Sequence, residues 1–149
     1  MSGIIVGVDG SANARYALDW AVKEAAALHA PLTVLTINEV VTSFWTGDPV
    51  TGPGTEAALA TAREAATELT DKAVSQLGDA RPASVSVKAV TGFAADVLID
   101  ASADADLLVV GARGGAQRGG LAAHSPIGSI SSKVLHSAKC PVVVVPAKS

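Results

Sequence analysis

The chain has 149 residues, of which 49% are hydrophobic but only 3% aromatic, and its formal net charge is −3 at pH 7. This length suits one domain whose core is built from Ala, Val, Leu and Ile, and we expect residues 1–149 to form it. Eleven Lys and Arg residues, scattered along an acidic chain, argue against nucleic acid as a partner. No apolar run approaches a membrane span and no signal-peptide layout begins the chain, so we expect a cytoplasmic protein with no membrane partner.

The first predicted strand, Gly3 to Val8, is a continuous apolar run of the kind found in buried parallel strands. It ends at Asp9, at the carboxyl end of a central strand, where open α/β sheets bind ligands. A turn or capping role would explain Asp9 as well. The following helix is predicted to end before Pro31, with apolar residues at three- and four-residue spacing: Ala14, Ala17, Leu18, Ala21, Val22, Ala25 and Leu28.

The rest of the chain continues this alternation of strands and helices. Further strands are predicted at Leu32–Val40, Ser84–Val90, Asp106–Val110 and Val142–Val145, and further helices at Glu56–Leu77, Ala94–Ser102 and Ser129–Ser137. A loop from Val41 to Gly54 contains Phe44 and Trp45, which we expect to dock on the chain's own surface rather than on a ligand or partner. The alternation predicts a parallel sheet with helices on both faces.

A glycine-rich segment lies between the fourth strand and the last helix. Its glycines allow backbone N–H groups to turn toward an anion, and the helix start at Gly128-Ser129 adds free donors. This predicts a phosphate cradle with Arg113 and Ser129 at its lip, although a mobile connector would have the same composition. Neither Gly120 nor Gly128 is followed by lysine, which argues against a Walker-type ATPase.

Three stretches together resemble the universal stress protein family: Val6-Gly7-Val8-Asp9-Gly10-Ser11, Ala17-Leu18-Asp19-Trp20-Ala21, and Gly128-Ser129 with Cys140-Pro141-Val142-Val143-Val144-Val145. The resemblance covers essentially the whole chain. It implies a flavodoxin-like, Rossmann-like open sheet of five parallel strands in the order 3-2-1-4-5, with helices on both faces. It also implies a homodimer and, in one large subgroup, bound ATP.

The same resemblance implies a set of nucleotide-binding residues. The subgroup's pattern Gly-x2-Gly-x9-Gly followed by Ser or Thr matches Gly111, Gly114, Gly128 and Ser129, with Arg113 beside them and Ser131 as an outer donor. Asp9 matches the acidic residue that faces the nucleoside, and Ile37 lies near the position whose backbone reads adenine. Thirteen residues separate Gly114 from Gly128, where the pattern has nine. The longer loop costs only roughly 0.2 to 0.4 kcal/mol in closure entropy, but it leaves open whether the phosphate-binding groups keep their geometry.

Three functions therefore remain open. The first, an ATP-binding regulatory module, is favoured; the second is a dimeric interaction protein whose insertion has closed the site. The third is an enzyme that hydrolyses ATP or transfers its phosphate, and it is least favoured because His124 is the only obvious base near the loop. Any Mg²⁺ would arrive with the nucleotide, since no residue cluster has metal-ligand spacing.

The last predicted strand, Val142 to Val145, should lie at a border of the sheet. Its four consecutive β-branched residues would leave an unprotected edge, and Pro141 and Pro146 bracket them. A second copy that pairs antiparallel about a two-fold axis would cover this edge, which predicts a homodimer through Val142 to Val145. Alternatively, the Val41 to Gly54 loop shields the edge of a monomer.

Overall fold

The continuous apolar runs of the sequence form the strands of one sheet. The computed structural model describes residues 3–8, 14–39, 41–42, 49–50, 55–112 and 129–146. Their strands are, in chain order, β1 (Ile4–Val8), β2 (Pro31–Glu39), β3 (Val41–Thr42), β4 (Pro49–Val50), β5 (Ser84–Gly92), β6 (Leu107–Gly111) and β7 (Val142–Val145). All except β3 and β4 form a sheet of order β5-β2-β1-β6-β7, in which each neighbouring pair is parallel. Counted within this sheet, the order is 3-2-1-4-5, so the predicted fold is confirmed.

Helices cover both faces of the sheet. They are α1 (Ala14–Leu28), α2 (Thr55–Ser75), α3 (Ala94–Ser102) and α4 (Ser129–Ser137). Helices α1 and α2 pack on one face, where Val34 and Val109 of the strands are fully buried, and α3 and α4 pack on the other, around Leu108 and Val134. Neighbouring residues of one strand, such as Leu108 and Val109, point to opposite faces of the sheet, because successive side chains of a strand alternate in direction. Both sides of the strands are therefore apolar, which explains the absence of polar alternation in the sequence.

Helix α1 ends in a turn that the sequence pattern did not indicate. The Ala30 N–H donates to the Ala25 carbonyl at 2.9 Å and the His29 N–H to the Ala26 carbonyl at 3.2 Å, with His29 in the left-handed region at φ 50°. This hydrogen-bond pattern is a Schellman motif, in which glycine usually takes the left-handed position. The His29 imidazole Nδ1 lies 3.0 Å from the Arg81 carbonyl, which ties the end of α1 to the segment before β5.

Leu28 ends the apolar spacing of α1 but does not face the core. Leu28 is 60% exposed, whereas Ala26 is buried. Leu28 is the last helical residue, and the chain reverses directly after it so that Ala30, at 4% exposure, enters the core instead. Ending the helix thus moves the inward position from Leu28 to Ala30.

Helix α2 covers the sheet mainly with small residues. Ala66, Thr70 and Ala73 are buried, and the Thr70 hydroxyl donates to the Ala66 carbonyl at 2.7 Å, which satisfies the one polar group among them. The opposite face of α2 is charged and exposed to solvent, with five residues: Arg63, Glu64, Glu68, Asp71 and Lys72.

The segment after β2 departs from the predicted loop. Val41–Thr42 and Pro49–Val50 pair as antiparallel β3 and β4, with Val41 opposite Val50. β-Branched residues such as valine favour a pleated strand. The surrounding Thr, Gly and Pro residues are typical of a loop, and for this reason the sequence did not indicate the two short strands. Phe44 and Trp45 lie outside the described residues.

Helix α3 approaches the central strand unusually closely at Gly7. A Cβ atom at Gly7 would lie 2.9 Å from Cδ2 of Leu98, a side chain that is 3% exposed. A larger residue at Gly7 would force the Leu98 side chain to shift, because real Cβ contacts are longer than that. Gly7 and Leu98 are therefore expected to depend on each other.

Candidate functional site

The carboxyl ends of the strands form a crevice where the strand order reverses, between β1 and β6. The register of these strands pairs Val6 with Val109, so their last residues, Val8 and Gly111, end level with each other. β2 and β5 continue as a pair from Ile37–Val90 to Glu39–Gly92, beyond the level of Val8. At about 3.3 Å per residue, this pair rises roughly 10 Å above the ends of β1 and β6. The crevice thus has a floor at Val8 and Gly111 and one wall made by β2 and β5, and such reversal points are where open α/β sheets bind ligands.

Ile37 turns its backbone toward this crevice. The Ala83 N–H donates to the Ala30 carbonyl at 3.0 Å, so the backbone of Ala30 faces β5. Successive residues of a parallel strand direct their backbone groups to alternate neighbours, and Ile37, an odd number of residues further along, therefore faces β1. Since Val8 pairs with Thr36, the Ile37 carbonyl extends past the end of β1. The Ile37 side chain packs in the core of the α3–α4 face, so its backbone is the part directed to the crevice.

The other side of the crevice joins the end of β6 to the start of α4. The Ser131 hydroxyl donates to the Gly111 carbonyl, and Ser131 is 5% exposed. The Ala112 N–H donates to the Val145 carbonyl at 2.9 Å, which keeps the chain in the sheet just past Gly111. One turn further along α4, Val134 is fully buried and anchors the helix to the sheet. A strand end and a helix start, distant in sequence, are therefore held together at the floor.

The predicted site residues are described only in part. Gly111 and Ile37 lie at the crevice, and Ser129 begins α4, although its side chain is not among the groups described. Ser131 lies there too, but its hydroxyl donates to Gly111 within the protein. Asp9, Arg113, Gly114 and Gly128 lie outside the described residues, as does His124.

A model of the universal stress protein family matches residues 1–146. The chain belongs to that family. It is 35% identical over 143 residues to a universal stress protein of Mycolicibacterium smegmatis and 33% identical over 147 residues to one of Mycobacterium tuberculosis. Each match covers 96% of this chain but 47% of the relative, so the chain spans about half the length of the curated relatives it matches.

Solved structures of the universal stress protein family share the fold. A universal stress protein in complex with cAMP aligns with a TM-score of 0.67 at 22% identity, covering 97% of this chain and 96% of the other. UspA from Lactobacillus plantarum aligns at 0.69 with 21% identity, covering 97% of both chains. A third structure, from Archaeoglobus fulgidus in complex with dAMP, aligns at 0.61 with 18% identity and covers 96% of both chains. Nucleotide binding therefore occurs in some members of the family.

The described part of this universal stress protein contains two histidines and one cysteine. No group of three or more His, Cys, Asp or Glu residues in that part could hold a metal ion. His29 and His136 lie at the C-terminal ends of α1 and α4, near the opposite edge of the sheet. Burial raises the pKa of the Cys140 thiol, which therefore stays protonated near neutral pH and is a poor nucleophile.

The helices of the described part of this family member include none that is long and apolar enough to cross a membrane.

Two apolar side chains at the rim were not singled out from the sequence. Phe93, between β5 and α3, is 47% exposed, and Ile130, in the first turn of α4, is 39% exposed. Helices α3 and α4 lie on the same face, so both residues belong to the side of the crevice above that face. A large aromatic directly after the carboxyl end of a strand was the signal that could have identified Phe93, by the same reasoning that identified Asp9.

Proposed function

We propose that this chain binds ATP, or a closely related adenine nucleotide, in the crevice at the carboxyl edge, and that it acts as a homodimeric regulatory module in a stress response. The observation that carries the proposal is the pairing of two unlike features at one edge. The Ile37 carbonyl extends past β1 on one side, and the start of α4 is fastened to the end of β6 on the other. These sites lie two strand spacings apart, about 10 Å. A nucleotide suits this arrangement, because its base can form hydrogen bonds with the Ile37 backbone while its phosphates lie at the start of α4.

The phosphates are assigned to the β6–α4 side. Gly111, Arg113, Gly114, Gly128 and Ser129 would hold them through backbone N–H groups, a guanidinium and a helix start. Ser131 takes a positioning role, because its hydroxyl already holds the Gly111 carbonyl and so relates the first turn of α4 to β6. Mg²⁺ would enter with the nucleotide and depend on its phosphates for most of its ligands.

The nucleoside is assigned to the β2 side. Asp9, which follows the last residue of β1, would accept hydrogen bonds from the ribose, and the Ile37 backbone would read the adenine edge. The two family members in complex with cAMP and dAMP support an adenine nucleotide as the ligand class, since both compounds combine adenine with phosphate. We also propose that residues 1–149 form one domain and that the protein is cytoplasmic.

The homodimer is assigned to β7. This strand borders the sheet, and its four valines are all half-buried along an edge that no described strand pairs with on its outer side. A second copy about a two-fold axis would pair β7 with β7 and cover this edge.

Calorimetric titration with ATP, ADP and AMP tests the ligand. A dissociation constant near one micromolar, equivalent to about −8.2 kcal/mol, would give a clear binding isotherm. Gly114→Val and Ser129→Ala should each weaken ATP binding without unfolding the domain, and Asp9→Ala should weaken adenosine binding more than it lowers stability. Unchanged affinity in the first two variants would remove the phosphate assignment.

An interaction protein of the same fold is the second candidate. The observation that favours it is the thirteen-residue spacing between Gly114 and Gly128, which exceeds the nucleotide-binding pattern. Absence of both heat and thermal shift at millimolar ATP would select it. Slow release of phosphate from bound ATP would instead show a weak hydrolase.

A further inference from the structure

Phe93 lies at the crevice by the register of the sheet. Gly92, the last residue of β5, pairs with Glu39, the last residue of β2, so Phe93 follows at the top of the wall that these strands form. It lies three residues beyond Val90, the partner of Ile37, and one strand spacing from β2. It therefore lies on the rim above the side of the crevice assigned to the base.

The packing of α3 places Phe93 on the face of the sheet that includes β1. Leu98, five residues after Phe93 in α3, lies against Gly7, one residue below the floor at Val8. Helix α3 therefore runs from Phe93 at the rim down to the level of the floor. The residue thus lies beside the space over β1, on the face of the sheet that α3 covers.

Phe93 also breaks two local rules. It occupies the N-cap position of α3 with an extended backbone, φ −87° and ψ 121°, and its carbonyl accepts the Val97 N–H at 2.9 Å. Phenylalanine has no side-chain atom to accept a capping hydrogen bond, whereas Ser, Thr, Asp and Asn do. The ring is also 47% exposed to water. Residues that break local preferences in this way are expected at functional positions.

We propose that Phe93 is a specificity-determining residue for the nucleotide base, whose ring covers one face of the adenine while the Ile37 backbone binds its edge. This inference rests on the proposed function. A base whose edge bonds to a strand lies roughly in the plane of the sheet, so its two faces point above and below that plane. The face on the α3 side is the one that Phe93 can cover, and stacking on an aromatic ring favours the large purine surface.

The test compares AMP with inorganic tripolyphosphate, which has phosphates but no base. Phe93→Ala should weaken AMP binding about tenfold, equivalent to about 1.4 kcal/mol, and leave tripolyphosphate binding within twofold. Phe93→Tyr should bind AMP within twofold of the unmodified chain, because it keeps the ring. Leu135→Ala is a matched control, since Leu135 is 43% exposed near the other end of α4, away from the crevice.

Circular dichroism should show that Phe93→Ala keeps the fold. If the unmodified chain binds AMP and Phe93→Ala binds it equally well, or loses tripolyphosphate binding to the same extent, the role of Phe93 is refuted and the nucleotide site stands. If the unmodified chain binds neither ATP nor AMP, the proposed function fails and the role of Phe93 fails with it.

Discussion

The close approach between Gly7 and Leu98 predicts that substitutions at these two positions are strongly coupled. A Cβ at Gly7 would meet Cδ2 of Leu98 at 2.9 Å in a buried contact between β1 and α3. Gly7→Ala adds a methyl group that the Leu98 side chain must shift to accommodate, and Leu98→Ala removes that side chain. Each is harmful alone, and the second should relieve the first.

The expected free energies of unfolding follow from this geometry. Leu98→Ala should cost about 3 kcal/mol, through lost burial and a cavity. Gly7→Ala should cost about 1 kcal/mol, because crowding is partly offset by the reduced freedom of the unfolded chain. In the double variant the new methyl group occupies part of the cavity, so the total should be about 2.5 kcal/mol rather than about 4.

Urea denaturation followed by circular dichroism measures these values, and melting temperatures should fall by about 3 °C per kcal/mol for a chain of this length. Leu18→Ala combined with Gly7→Ala is the control pair, since Leu18 is buried on the opposite face of the sheet and its cost should simply add. Costs of Gly7→Ala and Leu98→Ala that add within about 0.5 kcal/mol would refute the coupling between these two positions.

Three further predictions concern the end of α1, the floor of the crevice and the sheet edge. His29→Ala and His29→Gly both lose the contact with Arg81, but only alanine keeps a side chain in the left-handed region. His29→Ala should therefore be about 1 kcal/mol less stable than His29→Gly in urea denaturation, and equal stability would contradict the Schellman assignment. Ser131→Ala leaves the Gly111 carbonyl without this donor and should lower the melting temperature by about 3 °C, and an unchanged value would show that the hydrogen bond is not stabilising. Val143→Lys should convert a dimer to a monomer in sedimentation velocity, while Val85→Lys on the opposite border should not; a dimer that tolerates Val143→Lys does not form through β7.

The sequence by itself determined the order and type of the main elements. Apolar runs such as Ile4–Val8 and Val142–Val145 are too continuous for a half-exposed strand, and the helices between them have their apolar residues at helical spacing. Because parallel strands need long crossovers of one hand, this alternation leaves few arrangements, and the strand order of the resembling family is the one observed. The carboxyl edge was predictable as the candidate site for the same reason, since every parallel strand ends there.

Only the tertiary structure decided which atoms meet at that edge. No periodicity in the sequence shows that β2 and β5 extend beyond β1, since this depends on the register between strands that are far apart in the chain. Ser131 was expected to reach a ligand, yet its hydroxyl is used by Gly111, twenty residues earlier, because packing of Val134 brings α4 against the sheet. Leu28 continues the apolar spacing of α1 but is exposed, because the left-handed turn at His29 ends the helix and gives the buried position to Ala30. Local pattern specifies which side of an element is apolar, whereas contacts between distant segments decide where each element stops and which polar groups remain for a ligand.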